Sequence, residues 1–199
     1  KGLYMLKWSL RADANGRTAY QELLDTNRFD RSKLIPYSQL QGMKDEIDGV
    51  LLPGGHCPDM RPYLEDKTLQ AFVADFSNTT TKPIAAICHG VVVCARAGIL
   101  KDKVVTSLPA SMENTAVYLT KAWMGNYYRT YPGTTVEKEV TEAVGPKGRF
   151  EAGPSGFARD SEKDLKPGFV MSHGSLITAR WPGDAHRFGH WLVAALKKQ

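Results

Sequence analysis

Residues 82–90 read KPIAAICHG, and this stretch decides the fold. Ile84 to Ile87 form a short continuous apolar run, the pattern of a strand buried on both faces of a parallel sheet. The run ends in Cys88, and Gly90 introduces VVVCARAGIL, which predicts a small-residue helix ending near Gly98. A nucleophile placed between a strand and a helix takes a strained backbone conformation, which small neighbours permit. Its side chain then stands clear at the carboxyl edge of the sheet. A helix N-terminus directs free N–H groups and partial positive charge at the sulfur, so the expectation is a thiolate of depressed pKa. A free cysteine is most often a small buried hydrophobe. Its place at a strand-to-helix turn, with His89 beside it and Gly90 after, favours a functional thiol here.

Outward from this turn, strand and helix alternate. DGVLLPGG (48–55) reads as another buried strand opening into a glycine turn, and DKTLQAFVADF (66–76) spaces Leu69, Phe72, Val73 and Phe76 as a helix does. VVTSL (104–108) predicts a third strand and 112–124 a further helix. The alternation argues for an α/β chain with a parallel sheet covered on both faces. Further on, TVEKEVTEA (135–143) predicts an exposed strand by alternation, and GFVMSHGSLITARW (168–181) a hairpin turning at His173-Gly174. The C-terminal stretch predicts a closing helix with Phe188, Trp191, Leu192 and Leu196 on one stripe. No apolar strand is legible before residue 48, and Glu22 lies in RTAYQELLDT, which reads as a helix.

With 199 residues, 42% hydrophobic and 24% charged, the chain is long enough for one core and suggests one domain spanning 1–199. Its 26 Lys and Arg against 21 Asp and Glu leave a net charge of +5, with no basic run, so neither nucleic acid nor a membrane is an expected partner. The longest apolar stretch is interrupted by His89 and Arg96 and is too broken for a membrane span. Three cysteines, Cys57, Cys88 and Cys94, crowd into one region and do not form a secreted disulfide framework, so a reducing, cytoplasmic setting is expected. A zinc set of His56, Cys57, Cys88 and His89 lacks the spaced cysteine pair of known sites, and no phosphate or dinucleotide loop is present, so no metal or cofactor is expected.

AICHG resembles the nucleophile elbow of the DJ-1/PfpI (ThiJ/PfpI) superfamily, which is related to the class I glutamine amidotransferases. DGVLLPGGH is similar to the strand and glycine loop that shape an oxyanion pocket beside that cysteine, and LITARWPGDAHRF resembles the closing strand and helix of many members. The resemblance covers most of the chain from Asp48 onward and implies a flavodoxin-like three-layer sandwich with a mainly parallel sheet. Its GGH and CHG pair is similar to the branch of glutathione-independent glyoxalases and heat-inducible chaperones. Members generally carry a glutamate near the first strand; no matching segment is recognisable here, so the expectation is a truncated N-terminal part with that strand missing.

The resemblance implies catalysis by Cys88 with His89 as base, oriented by Glu113 in SLPASMEN, since Ala110 stands where some relatives carry aspartate. Glu113 also reads as an ordinary acid in the first turn of a helix. Gly54 and Gly55 would let backbone N–H groups approach a developing oxyanion, with His56 and Gly90 also at the substrate. Cys57 could pair with Cys88 were they close, and His186 after the WPGDA turn is of modest interest. The implied activity is conversion of methylglyoxal to lactate without glutathione, a lyase reaction on a small carbonyl substrate, in a homodimer. A stress chaperone or redox sensor, or a thiol hydrolase or hydratase, would use the same cysteine.

Overall fold

The computed structural model describes residues 14–26 and 30–198, with Arg31 and Trp123 described by backbone alone. The described chain opens with helix α1 (Ala14–Asp25), followed by 3-10 turns over Arg31–Lys33 and Tyr37–Glu46. Glu22 is therefore helical, as its surroundings predict. The first strand among the described residues is β1 (Val50–Leu52); the chain's first thirteen residues, on which the expectation of a missing strand partly falls, lie outside them.

After β1 come α2 (Arg61–Glu65), α3 (Lys67–Thr79), β2 (Ile84–Ile87) and α4 (Gly90–Arg96). Then follow β3 (Val104–Val105), α5 (Ala110–Met124), α6 (Val136–Val144), β4 (Arg149–Phe150), β5 (Val170–His173), β6 (Leu176–Ala179) and α7 (Ala185–Leu196). The main sheet has the order β1-β2-β6-β5, with β1, β2 and β6 parallel and β5 antiparallel to β6. The hairpin turns at Gly174, whose φ of +62° suits glycine.

Side-chain alternation along the strands divides two cores. Ile84 and Ala86 of β2 and Leu176 of β6 face Phe72, Phe76, Val92 and Val140, the layer built from α3, α4 and α6. Ala85 and Ile87 of β2 and Ile177 and Ala179 of β6 face the opposite way, onto Phe188, Trp191, Leu192 and Ala195 of α7. Helices thus cover both faces of the central strands, while Leu51 of β1 points outward and is 54% exposed. α3 begins at Asp66, whose carboxylate accepts the Leu69 N–H at 2.7 Å as an N-cap.

Two expectations change. TVEKEVTEA is a helix: Val136, Val140 and Val144 recur every four residues on one buried stripe, and Thr135 caps it by accepting the Lys138 N–H at 3.2 Å. The stretch 104–108 contributes only the two residues of β3, which pair with β4 outside the main sheet. Side chains tie it to the hairpin instead, the Val104 N–H donating to His173 Nδ1 at 3.2 Å and the Thr106 N–H to Thr178 Oγ1 at 2.9 Å.

Val140 is fully buried. Its replacement by alanine removes two methyl groups' worth of packing and is expected to cost about 2 kcal/mol of unfolding free energy. Chemical denaturation should show this loss, whereas the exposed strand first predicted would lose only a few tenths.

Candidate active site

Cys88 follows β2 with φ +59°, one of two positive-φ residues other than glycine among those described. Holding a side-chain-bearing residue there costs about 1–3 kcal/mol, so the surroundings must enforce it. Its N–H donates to the Ala179 carbonyl of β6 at 3.0 Å, and the carbonyls of Cys88 and His89 accept the N–H groups of Val91 and Val92 to begin α4. The glycine loop packs directly on this turn. A Cβ at Gly54 would stand 2.6 Å from Cys88 Cβ and 2.9 Å from the Ile87 carbonyl oxygen, and one at Gly90 would collide with the carbonyls of Leu52 and Pro53. Both motifs legible in the sequence are therefore halves of one contact.

A cavity of about 450 Å³ opens over the sulfur. Gly54, Gly55, His56, Cys88 and Glu113 all line it, so the structure brings together five of the residues singled out from sequence. Gly90 corrects its expected substrate role: it is buried beneath the β1 carboxyl end and does not line the cavity. His89 lies behind the sulfur, fully buried, with Nδ1 3.5 Å from Cys88 Sγ.

The orienting contact from Glu113 to His89 is not made. Glu113 Oε2 accepts the Val136 N–H at 3.0 Å and Oε1 lies 3.8 Å from Arg129 Nη1, while His89 Nε2 has no hydrogen-bond partner among the described residues. The reason is the start of α5 directly after Pro109, which carries the first-turn residue to the beginning of α6 and the cavity wall.

Burial governs the electrostatics. It pushes the Cys88 thiol up to about 12, opposed in part by the His89 backbone N–H and reinforced by the charges of Glu113 and Asp184. The expected resting thiolate is thus replaced by a neutral thiol, because removal from water outweighs the partial charge at the end of a seven-residue helix. His89 is pushed down to about 4 by burial, with His56 adding to the effect. Burial also raises Glu113, against the Val136 N–H and the Arg129 charge, and lowers His56. The site at neutral pH holds an uncharged thiol and uncharged imidazoles.

Several cavity residues escaped the sequence reading. Tyr128 stacks on His56 with ring centroids 4.1 Å apart and planes at 19°, and Tyr127 meets the same imidazole edge-on at 5.3 Å. Trp181 and Phe157, which also line the cavity, pair edge-to-face at 5.6 Å. Trp181 is held by its neighbours: Arg180, 2% exposed, bonds the wholly buried Asp184 through Nε and Nη2 at 2.9 and 2.8 Å and the Pro154 carbonyl at 2.7 Å. The legible signal was an arginine and an aspartate four residues apart around a Trp-Pro-Gly turn.

Cys57, Cys88 and Cys94 are all free, so Cys57 forms no bridge to Cys88. No cluster of three or more His, Cys, Asp or Glu side chains suits a metal ion among the described residues. His186 is outside the cavity wall and gives its backbone N–H to Asp160. No helix among the described residues is long and apolar enough to cross a membrane.

A strained cysteine at a strand-to-helix turn, under a glycine loop, on a three-layer α/β/α sandwich defines a nucleophile-elbow protein of flavodoxin-like fold. The family described as ThiJ/PfpI family-like matches residues 4–154, and the chain belongs to this family, within the DJ-1/PfpI superfamily. Deglycase PfpI of Pyrococcus furiosus is 41% identical over 63 residues, 32% of this chain and 36% of that protein. Protein/nucleic acid deglycase 2 of Escherichia coli is 41% identical over 64 residues, 32% of this chain and 35% of that protein. The matched stretch thus spans about a third of the length of these curated relatives. Among solved structures, glyoxalase III of Candida albicans superposes with a TM-score of 0.54 at 20% identity, over 76% of this chain and 58% of that one, and shares the fold.

The buried, neutral thiol sets a test. Iodoacetamide labelling of the Cys88 peptide, followed by mass spectrometry, should accelerate about tenfold per pH unit from about pH 6 to pH 9 without levelling, because the thiolate fraction keeps growing below a raised pKa. A plateau below neutrality would mean that the helix N-terminus, not burial, dominates.

Proposed function

We propose that the protein is a cysteine-dependent enzyme acting on α-oxoaldehydes, of the glutathione-independent glyoxalase type. The observation that carries this reading is the placement of Cys88, His56 and Glu113 around one cavity, beside the Gly54–Gly55 backbone and with His89 behind the sulfur. Family membership supports enzymatic or stress-related chemistry at this thiol, and the glyoxalase III likeness supports the fold on which it would run.

The sequence of steps follows from the charge state. The neutral Cys88 S–H adds across the aldehyde C=O: the C–S bond forms, His89 Nδ1 takes the sulfur proton, and that proton is passed on to the carbonyl oxygen, giving a neutral hemithioacetal and restoring the neutral imidazole. Net addition leaves no charge behind, which suits a site where burial disfavours both thiolate and imidazolium. Backbone N–H groups of the Gly54–Gly55 loop stabilise the oxygen as charge develops. The hydrogen on the hemithioacetal carbon then leaves as a proton to the Glu113 carboxylate and returns at the adjacent carbon through an enediol, while the hydroxyl proton passes from the first carbon's oxygen to the second's. The first carbon is thereby oxidised to a thioester and the second reduced to an alcohol. Water cleaves the thioester, releasing the 2-hydroxy acid and restoring the thiol. Burial raises Glu113 from its ordinary value, which makes its carboxylate the stronger proton acceptor.

Deglycation is a second reading, favoured by the names of the matched relatives. It would use the same thiol on a carbonyl adduct of an amine or thiol. A redox-sensing role is less suited to Cys88, since oxidation follows thiolate character and exposure and this thiol has little of either.

Lactate formation from methylglyoxal by the intact protein and by Cys88→Ala tests the proposal: turnover should be abolished by the substitution, and its absence from the intact protein would end the glyoxalase reading. Glu113→Gln should lower kcat by about 10²–10⁴-fold. It should leave the Tm equal or higher at neutral pH, because the amide oxygen still accepts the Val136 N–H and no charge is buried. The sign follows from the raised folded-state pKa of Glu113: its contribution to stability is fully present below the ordinary carboxylate pKa and is lost as pH rises through the raised one. The advantage of glutamine should therefore grow from acid to neutral pH.

A further inference from the structure

The reactive carbonyl of methylglyoxal occupies little of the space above Cys88. The cavity of about 450 Å³ falls within the roughly 300–1,000 Å³ range of sites that bury drug-sized ligands. A three-carbon substrate bonded to the sulfur would leave most of it vacant or filled with water.

The wall says what the remaining volume accepts. Its apolar part is built from Met112 and Ala116 of α5, Leu108 before it, and the aromatic rings of Tyr128, Phe157 and Trp181. Its polar lining is limited to Cys88, Glu113, His56, the Tyr128 hydroxyl and the backbone of the glycine loop. Neither lysine nor arginine is among its lining residues. Arg129 approaches Glu113, Arg159 lies over the Trp181 ring at 5.6 Å and Arg180 is spent on Asp184, but none of the three is among the lining residues. A carboxylate or phosphate on the far side of the substrate would therefore lose its hydration without gaining a counter-charge. A flat apolar group would instead be received by aromatic faces and edges, with Met112 as the adaptable contact.

We infer that this cavity selects carbonyl compounds whose second substituent is uncharged, apolar and of aromatic size, with arylglyoxals preferred to methylglyoxal. The inference rests on the reading of Cys88 as the carbonyl-attacking thiol, and deepens it by naming the substituent. Trp181 and Phe157 form one side of the substituent site and Tyr128, backed by His56, another. Ala116 sits where a larger side chain would fill it.

Two measurements separate the inference from the reading beneath it. In Cys88→Ala, where no covalent adduct forms, ligand-observed NMR should give acetophenone an affinity at least about tenfold above that of acetone. Ala116→Trp, on a half-buried helix position, should bring that ratio toward one by occupying the site. In the intact protein, kcat/KM for conversion of phenylglyoxal to mandelate should exceed that for methylglyoxal by at least about tenfold, and Ala116→Trp should shrink this ratio as well. Equal binding of the two ketones, or a preference for methylglyoxal in turnover, would overturn the inference. Preferential binding of acetophenone without turnover of either glyoxal would uphold the cavity's selectivity and remove the glyoxalase reading instead.

Discussion

The absence of a side chain at Gly54 is the constraint on which the site depends. Cys88 must adopt a left-handed backbone conformation to project its sulfur from the end of β2, and that conformation brings its Cβ to within 2.6 Å of where a Cβ on residue 54 would stand. Gly90 meets the same demand one step later, where α4 passes under the carbonyls that end β1. The hydrogen bond from the Cys88 N–H to Ala179 then fastens the strained turn to β6. Strain at Cys88 is thus held by three parallel strands at once, which is how a residue in a sparsely populated conformation remains fixed.

From that geometry follows an electrostatic arrangement in which the sulfur and the imidazole behind it are uncharged and no Lys or Arg lines the cavity. Cys88 and His89 are both driven toward their neutral forms by burial. Arg129 approaches Glu113 at the side, and the Arg180–Asp184 pair stands behind Trp181. A buried ion pair of this kind is weak evidence for stability. Its contacts to the Phe169 N–H and the Pro154 carbonyl nevertheless fix the segment that carries Phe157 and Trp181 to the cavity. The cavity thus presents a largely apolar wall to a neutral thiol.

Much of the fold was legible because its signals are local. The apolar run before Cys88, the glycines after β1, the hairpin at Gly174 and the closing stripe of Phe188 and Trp191 are written in consecutive residues. TVEKEVTEA misled because its valines suit two periods in so short a window; the third valine of the stripe, Val144, lies just beyond it, and only packing against α4 chooses the helix. The partnership of Glu113 misled for a different reason. Its position along the chain was legible, but its contact is with Val136, a residue 23 positions away that no local pattern ties to it.

The sequence by itself determined which cysteine stands at the strand-to-helix turn and which glycines must surround it, because a left-handed cysteine and a side-chain-free approach are demands on residue type. Tertiary structure alone decided the charge state of that thiol and the wall it faces. Burial depends on what Met112, Tyr128, Phe157 and Trp181 exclude, and these residues converge from separate parts of the chain. A helix N-terminus read from sequence argues for thiolate; the enclosure built around it keeps the proton on sulfur, because desolvation is a property of the assembled cavity and not of the turn.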